Sequence, residues 1–166
     1  MGFEVGIKLC RDVFKMTDIA SFTHVGKPIA LQRPRFSRTG RVYNPNKYEQ
    51  QQFADKVRQY KPQTPFSGPI RIKLKYVFKR PKSHFGTGRN AAILKSGAPT
   101  FHTSKPDVDN LVKFTLDAMN GEFYIDDKQV VEIRAEKVYN NECDCAGYTD
   151  VQLNVVTCSE SSVSDQ

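Results

Sequence analysis

The plainest pattern in the chain is a strict alternation at residues 70–79, IRIKLKYVFK. Ile70, Ile72, Leu74, Tyr76 and Phe78 share one side, and Arg71, Lys73, Lys75 and Lys79 the other, with Val77 interrupting the basic face. A period of two predicts a strand with one face in the core. Residues 18–25, DIASFTHV, repeat the pattern more weakly, with Ala20, Phe22 and His24 opposite Ile19, Ser21 and Thr23. From Asn46 the period becomes helical. Tyr48, Phe53, Val57 and Tyr60 lie near one face, Asn44 or Asn46 caps the start, and Pro62 ends the run. A second helix starts at Asp107 or Asp109 and runs to about Asn120. Its buried side is Leu111, Phe114, Thr115, Ala118 and Met119, and Gly121 stops it. Residues 129–139 and 149–157 read as strands, which the short polar turn between them predicts to be an antiparallel hairpin. The first points Val131, Ile133, Ala135 and, after a slip in register, Val138 inward; the second points Val151, Leu153 and Val155.

The order is strand, helix, strand, long loop, helix, strand, strand. It predicts a single α/β (α+β) domain on a mixed sheet of about four strands with two main helices. The 166 residues suffice for one such core. We divide the chain into an N-terminal extension at 1–17, the domain at 18–157 and a flexible tail at 158–166.

Charge changes the picture. Twenty-five Lys and Arg stand against 18 Asp and Glu, a net +7, and most of the cations fall within 27–113 while the acids gather at 107–144 and in the tail. A cationic half beside an acidic cluster points to a polyanionic partner with cations held at the acids. Cys10, Cys143, Cys145 and Cys158 offer no zinc-knuckle spacing and read as free thiols of an intracellular, cytoplasmic protein. No apolar run approaches the roughly 20 residues of a membrane span.

Two segments concentrate the cations. Residues 31–45 carry Arg33, Arg35, Arg38 and Arg41 with Phe36 and Tyr43 interleaved, and Pro34, Gly40 and Pro45 exclude a long helix. Guanidiniums beside aromatic rings suit phosphate contact and stacking. Residues 80–104 have no sustained period and read as a cationic flap that orders over nucleic acid. Lys79, Arg80, Lys82, Arg89 and Lys105 make this second candidate DNA-contacting set.

The chemistry lies in 105–132, KPDVDNLVKFTLDAMNGEFYIDDKQVVE. Asp107 and Asp109, two apart at a helix entry, put both carboxylates on one side, and the turn at 121–127 brings Asp126 and Asp127 back toward them. Converging carboxylates stay ionised only around a hard cation, and all-oxygen ligation suits Mg²⁺, with Mn²⁺ as substitute. Lys113, one turn beyond Asp109, suits a developing phosphate charge, and Asp117 is placed to tether it. An acidic metal site in a cationic surface is the construction of a nuclease.

The run PDVDNLVKFTLDAMNG followed by YIDDKQV resembles the RusA family of Holliday junction resolvases of bacteria, phages and prophages. Asp107, Asp109, Asn110, Leu111, Lys113, Asp117, Asp126, Asp127 and Gln129 match its pattern. RPRF, GRVYNP and HFGTGRN resemble its Gram-positive prophage branch. The likeness covers about residues 18–157. It implies a homodimeric, Mg²⁺-dependent crossover junction endodeoxyribonuclease of DNA recombination and repair, which nicks opposing strands of four-way junctions. It implies Asp107, Asp109, Asp127 and Lys113 as catalytic, with Asp126 supporting the metal. The competing readings are a less selective branched-DNA or flap nuclease and a non-enzymatic basic DNA-binding accessory protein.

Overall fold

The computed structural model describes residues 14–141 and 146–158. The predicted extension up to residue 13, Cys10, Cys143, Cys145 and the tail beyond 158 lie outside the described residues. The chain runs through β1 (Phe14–Val25), a two-residue-armed hairpin of β2 (Arg35–Phe36) and β3 (Val42–Tyr43), α1 (Lys47–Val57), β4 (Ile70–Phe78), α2 (Val108–Met119), β5 (Val130–Tyr139) and β6 (Gly147–Cys158). This is the predicted α/β domain with a four-stranded mixed sheet and two main helices. β1 begins at Phe14, inside the stretch predicted to be an extension.

The sheet order is β1-β6-β4-β5. β6 pairs antiparallel with both β1 and β4, and β5 pairs parallel with β4. The predicted hairpin of the last two strands is therefore absent: β6 crosses over β4 and inserts between it and β1. Both flanking partners bury its Val151 and Leu153 completely, and an apolar strand gains more there than at an edge. Re-entry requires a glycine. Gly147 has φ +96°, and a Cβ there would lie 2.6 Å from the Val77 carbonyl oxygen.

Helices α1 and α2 cover one face. Phe53 and Val57 of α1, and Leu111, Phe114, Ala118 and Met119 of α2, pack with Ile70, Ile72, Leu74, Tyr76, Val151 and Leu153 in one core. The α2 positions recur at i, i+3, i+4, i+7 and i+8, which is why its register was readable. Thr115 is accommodated because its hydroxyl bonds the Leu111 carbonyl at 3.1 Å and Tyr76 Oη at 3.0 Å. Asn46 stands at the N-cap of α1 but makes no capping bond. Its side chain instead accepts from Gln32 N–H at 2.6 Å, tying the arginine-rich segment to the helix.

β5 departs most from expectation. A register shift between Ile70 and Arg71 leaves Val131 unpaired. Val130, Ile133, Ala135, Lys137 and Tyr139 then share the helix-facing side with Ile70, Ile72, Leu74, Tyr76 and Phe78. β5 lies at the sheet edge, so Val131 and Ile133 remain 61% and 44% exposed, while Val138 is buried on the opposite face.

Candidate active site

The outward side of α2 carries the chemistry. Asp107 occupies its N-cap in extended backbone and makes no capping bond, and Asp109 sits in the first turn. Both side chains are exposed, as is Lys113. Asp109, Lys113 and Asp117 follow at intervals of four and form one line along the helix. Lys113 and Asp117 make no ion pair, so the predicted tether is through-space only. Asp117 is held above its ordinary value, first by partial burial. The charge of Asp127 adds to the rise, while Lys113 and the Gln50 amide of α1 favour the ionised form.

The second acidic pair has divided roles. The Asp126 carboxylate accepts from Lys128 N–H at 3.0 Å and pairs with the Lys128 ammonium at 3.1 Å. These hydrogen bonds hold it below its ordinary value. Gln129 closes the turn reciprocally. Its Oε1 accepts from Asp126 N–H at 2.9 Å, and its Nε2 donates to the carbonyls of Phe66 and Gly68, each at 2.9 Å. Asp126 and Gln129 thus form a capping box on the 3₁₀ turn Asp127–Gln129. That turn presents Asp127, exposed, on the side of α2 that carries Asp117.

The carboxylates do not all converge. Asp109 and Asp117 are two helical turns apart, about 12 Å along the axis, and Asp127 is within electrostatic reach of Asp117. Among the described residues no three His, Cys, Asp or Glu side chains form a metal cage. The predicted gathering of Asp107, Asp109, Asp126 and Asp127 at one point is not formed among the described residues, and the Asp126 carboxylate is engaged instead by the Lys128 N–H and ammonium. The donors are nevertheless oxygens with their faces open to solvent. That chemistry fits Mg²⁺ or Mn²⁺, which take one or two carboxylates and keep several waters.

The arginine-rich segment is tied to this helix. Leu31 N–H donates to the Asn110 carbonyl at 2.9 Å, which sets the β2–β3 hairpin beside the first turn of α2. Arg33, Arg35, Arg38 and Arg41 are exposed, with Phe36 77%, Val42 62% and Tyr43 47% exposed among them. In the second cationic segment, Lys79, Lys82, Arg89 and Lys105 face solvent. Arg80 does not. It is 3% exposed and donates to the carbonyls of Asn140 (2.8 Å) and Pro99 (2.7 Å) and to Asn141 Oδ1 (3.1 Å). It also lies 5.3 Å from the Tyr139 ring centre. With the buried Phe85 it pins residues 80–104 to the sheet. The segment read as a flap is a braced loop, in which 3₁₀ turns at Lys82–His84 and Gly88–Asn90 supply local order.

Two residues of the site escaped the sequence reading. Gln129 stood in the motif without a role, although Asp126-x-x-Gln129 is a capping-box spacing. Lys137 occurs in phase with Ile133 and Ala135, and a charge on the apolar side of a strand signals a buried partner. Its ammonium donates to the carbonyls of Ser104 (2.9 Å) and Pro106 (2.5 Å).

These features define an α/β domain whose sheet, covered by helices on one face, carries an acidic helix line with an arginine-rich segment tied to its first turn. The chain belongs to the RusA family: residues 26–145 match Endodeoxyribonuclease RusA. It is also similar to the "Uncharacterized protein YqaN" of Bacillus subtilis (strain 168), 38% identical over 130 residues that cover 75% of this chain and 91% of that protein. Family membership is consistent with nuclease function and, in general terms, with a metal-dependent mechanism. No helix among the described residues is long and apolar enough to cross a membrane.

Proposed function

We propose that this protein is a Mg²⁺-dependent, structure-selective endodeoxyribonuclease that resolves four-way DNA junctions by paired, symmetric nicks. The observation that carries the reading is the Asp109–Lys113–Asp117 line of α2, with Asp107 at its start and the exposed arginine hairpin tied to its first turn through Leu31 and Asn110. Membership in the endodeoxyribonuclease family supports it.

Asp107, Asp109 and Asp127 are the residues that would hold Mg²⁺, or Mn²⁺ in its place; Asp126, committed to the turn, supports Asp127. When bound, the ion supplies charge neutralisation at the phosphodiester and activates water for hydrolysis. Lys113, which makes no ion pair among the described residues, is free to meet the charge that grows on the phosphate. Arg33, Arg35, Arg38 and Arg41, with Lys79, Lys82, Arg89 and Lys105, contact phosphates, and Phe36 and Tyr43 offer stacking surfaces. A homodimer would present two such sites with the two-fold symmetry of the junction. The substrate is DNA undergoing recombination or repair inside a bacterial cell.

A synthetic immobile four-way junction in millimolar Mg²⁺, beside a matched linear duplex, tests this. Wild type is expected to nick opposite arms of the junction and leave the duplex whole, and Asp109→Asn to bind the junction without cutting. Lys113→Ala is expected to lower turnover by about 10²-fold or more with junction affinity kept. Cutting of flaps and forks as fast as junctions would replace the resolvase by a broader branched-DNA nuclease. Binding without cutting in both Mg²⁺ and Mn²⁺ would leave a DNA-binding accessory protein.

A further inference from the structure

We propose that Lys137 is a positioning residue for the acidic site: its ammonium, bound by the carbonyls of Ser104 and Pro106, sets the path of the chain into Asp107 and the start of α2. The inference rests on the nuclease reading and adds a residue to it.

The alternation of β5 places Lys137 on the helix-facing side, opposite Tyr76 and in phase with Ile133 and Ala135. A lysine there is half-buried and needs acceptors, and no carboxylate pairs with it among the described residues. It finds two carbonyls two residues apart, Ser104 at 2.9 Å and Pro106 at 2.5 Å. Two acceptors so close in sequence can face one ammonium only if the peptide curls around it. Asp107 is the next residue, and it makes no capping bond of its own to fix its place.

The main chain of β5 holds the same segment at its other end. The Lys137 carbonyl accepts from His102 N–H at 3.1 Å, and Tyr139 N–H donates to the Thr100 carbonyl at 2.9 Å. The His102 ring stacks on Phe78, 4.1 Å between centres, and lies 4.8 Å from Tyr139. Residues 100–102 are therefore clamped to β5 by backbone and rings, and 104–106 by the Lys137 side chain. His102 is lowered from its ordinary value by burial and then by the charge of Lys137. One strand residue thus ties both ends of 102–106 to the sheet, and Asp107 follows directly. With two of its ammonium donors committed to these carbonyls, Lys137 acts on the DNA through the geometry of the acids.

The test compares wild type, Lys137→Met, Lys137→Gln and Lys137→Arg. Met keeps the stem and removes every donor, Gln keeps one set of donors, and Arg restores a cation. Single-turnover nicking of the junction, junction affinity in Ca²⁺, Mn²⁺ affinity by calorimetry and thermal midpoint are measured for each. A displacement on the order of 1 Å at a reacting group costs roughly 10²-fold in rate. Lys137→Met is expected to lose about that much while junction affinity stays within about twofold, and its Mn²⁺ affinity is expected to weaken. Gln is expected to fall between Met and wild type, and Arg to recover most of the loss. If Met does not fold, the Gln and Arg variants carry the comparison. A nicking rate within about twofold of wild type overturns the proposal, and so does a parallel fall in rate and DNA affinity. If wild type cuts no DNA, the nuclease reading has failed. The Mn²⁺ titration then decides alone: unchanged affinity in Lys137→Met, or in Lys137→Gln should Met not fold, overturns the positioning role, and a weakened one sustains it.

Discussion

The β2–β3 hairpin and the 79–105 segment are both short of regular structure and both arginine-bearing. They use their guanidiniums in opposite ways. Arg35 of the hairpin is exposed and, among the described residues, meets only the Gln32 side chain, at 3.0 Å. Arg80 is enclosed, with its donors directed to two carbonyls and an amide of the fold. The difference teaches that an arginine in a basic stretch is a ligand or a brace according to its neighbours, not its sequence surroundings. A guanidinium with satisfied, buried donors has nothing left to offer a phosphate. An exposed one beside Phe36 and Tyr43 does.

Replacing Arg80 breaks the comparison most forcefully. Arg80→Met removes three hydrogen bonds of a guanidinium that is itself buried, to the Pro99 and Asn140 carbonyls and to Asn141 Oδ1, at about 1 kcal/mol each. The expected loss is about 3 kcal/mol, a drop on the order of 10 °C in Tm by thermal unfolding. DNA affinity of the folded fraction is expected to stay within about twofold. A large affinity loss with Tm unchanged would make Arg80 a DNA ligand after all.

The hairpin arginines should behave the other way. Arg35→Ala and Arg41→Ala are expected to change stability by less than about 0.5 kcal/mol. Each is expected to weaken junction binding severalfold and to lower the slope of log K against log salt by about 1. Binding titrations at three salt concentrations check this, and an unchanged slope would remove the hairpin from the interface.

The smallest effect concerns pH. His102 stacks within the braced flank, and its value is lowered by burial and by Lys137. The unfolded chain therefore binds a proton more readily than the folded one. Stability is full above the ordinary imidazole value of about 6.5 and declines as pH falls through it, levelling only below the depressed folded value. Tm measured from pH 8 to 5 is expected to show this decline, and His102→Phe to reduce it, the remainder coming from His24, which burial and then Lys56 also lower. The exposed hairpin carries no histidine and contributes nothing to this dependence.

The same contrast explains how far the sequence could be read. The face of α2 was legible because five buried positions recur with helical spacing, so Leu111, Phe114, Thr115, Ala118 and Met119 could be named in advance. The line of Asp109, Lys113 and Asp117 followed from the same period. The roles of Asp126 and Gln129 were less visible, since a capping box competes with metal ligation for the same carboxylate. Arg80 was misplaced because nothing local distinguishes it from Lys79 or Lys82; its partners are 19, 60 and 61 residues away.

By itself the sequence determined the α/β class, the number of main strands and helices, the register of α2 and the residue types that make an acidic site in a cationic surface. Those properties depend on local periodicity and composition, which a chain carries wherever it is placed. Only the tertiary structure decided that β6 lies between β1 and β4, that β5 is an edge, that Arg80 is a brace and that Lys137 meets the carbonyls before Asp107. A period of two states which side chains share a face but not which strand lies alongside. That choice is made by burial and hydrogen bonding between residues far apart in the chain.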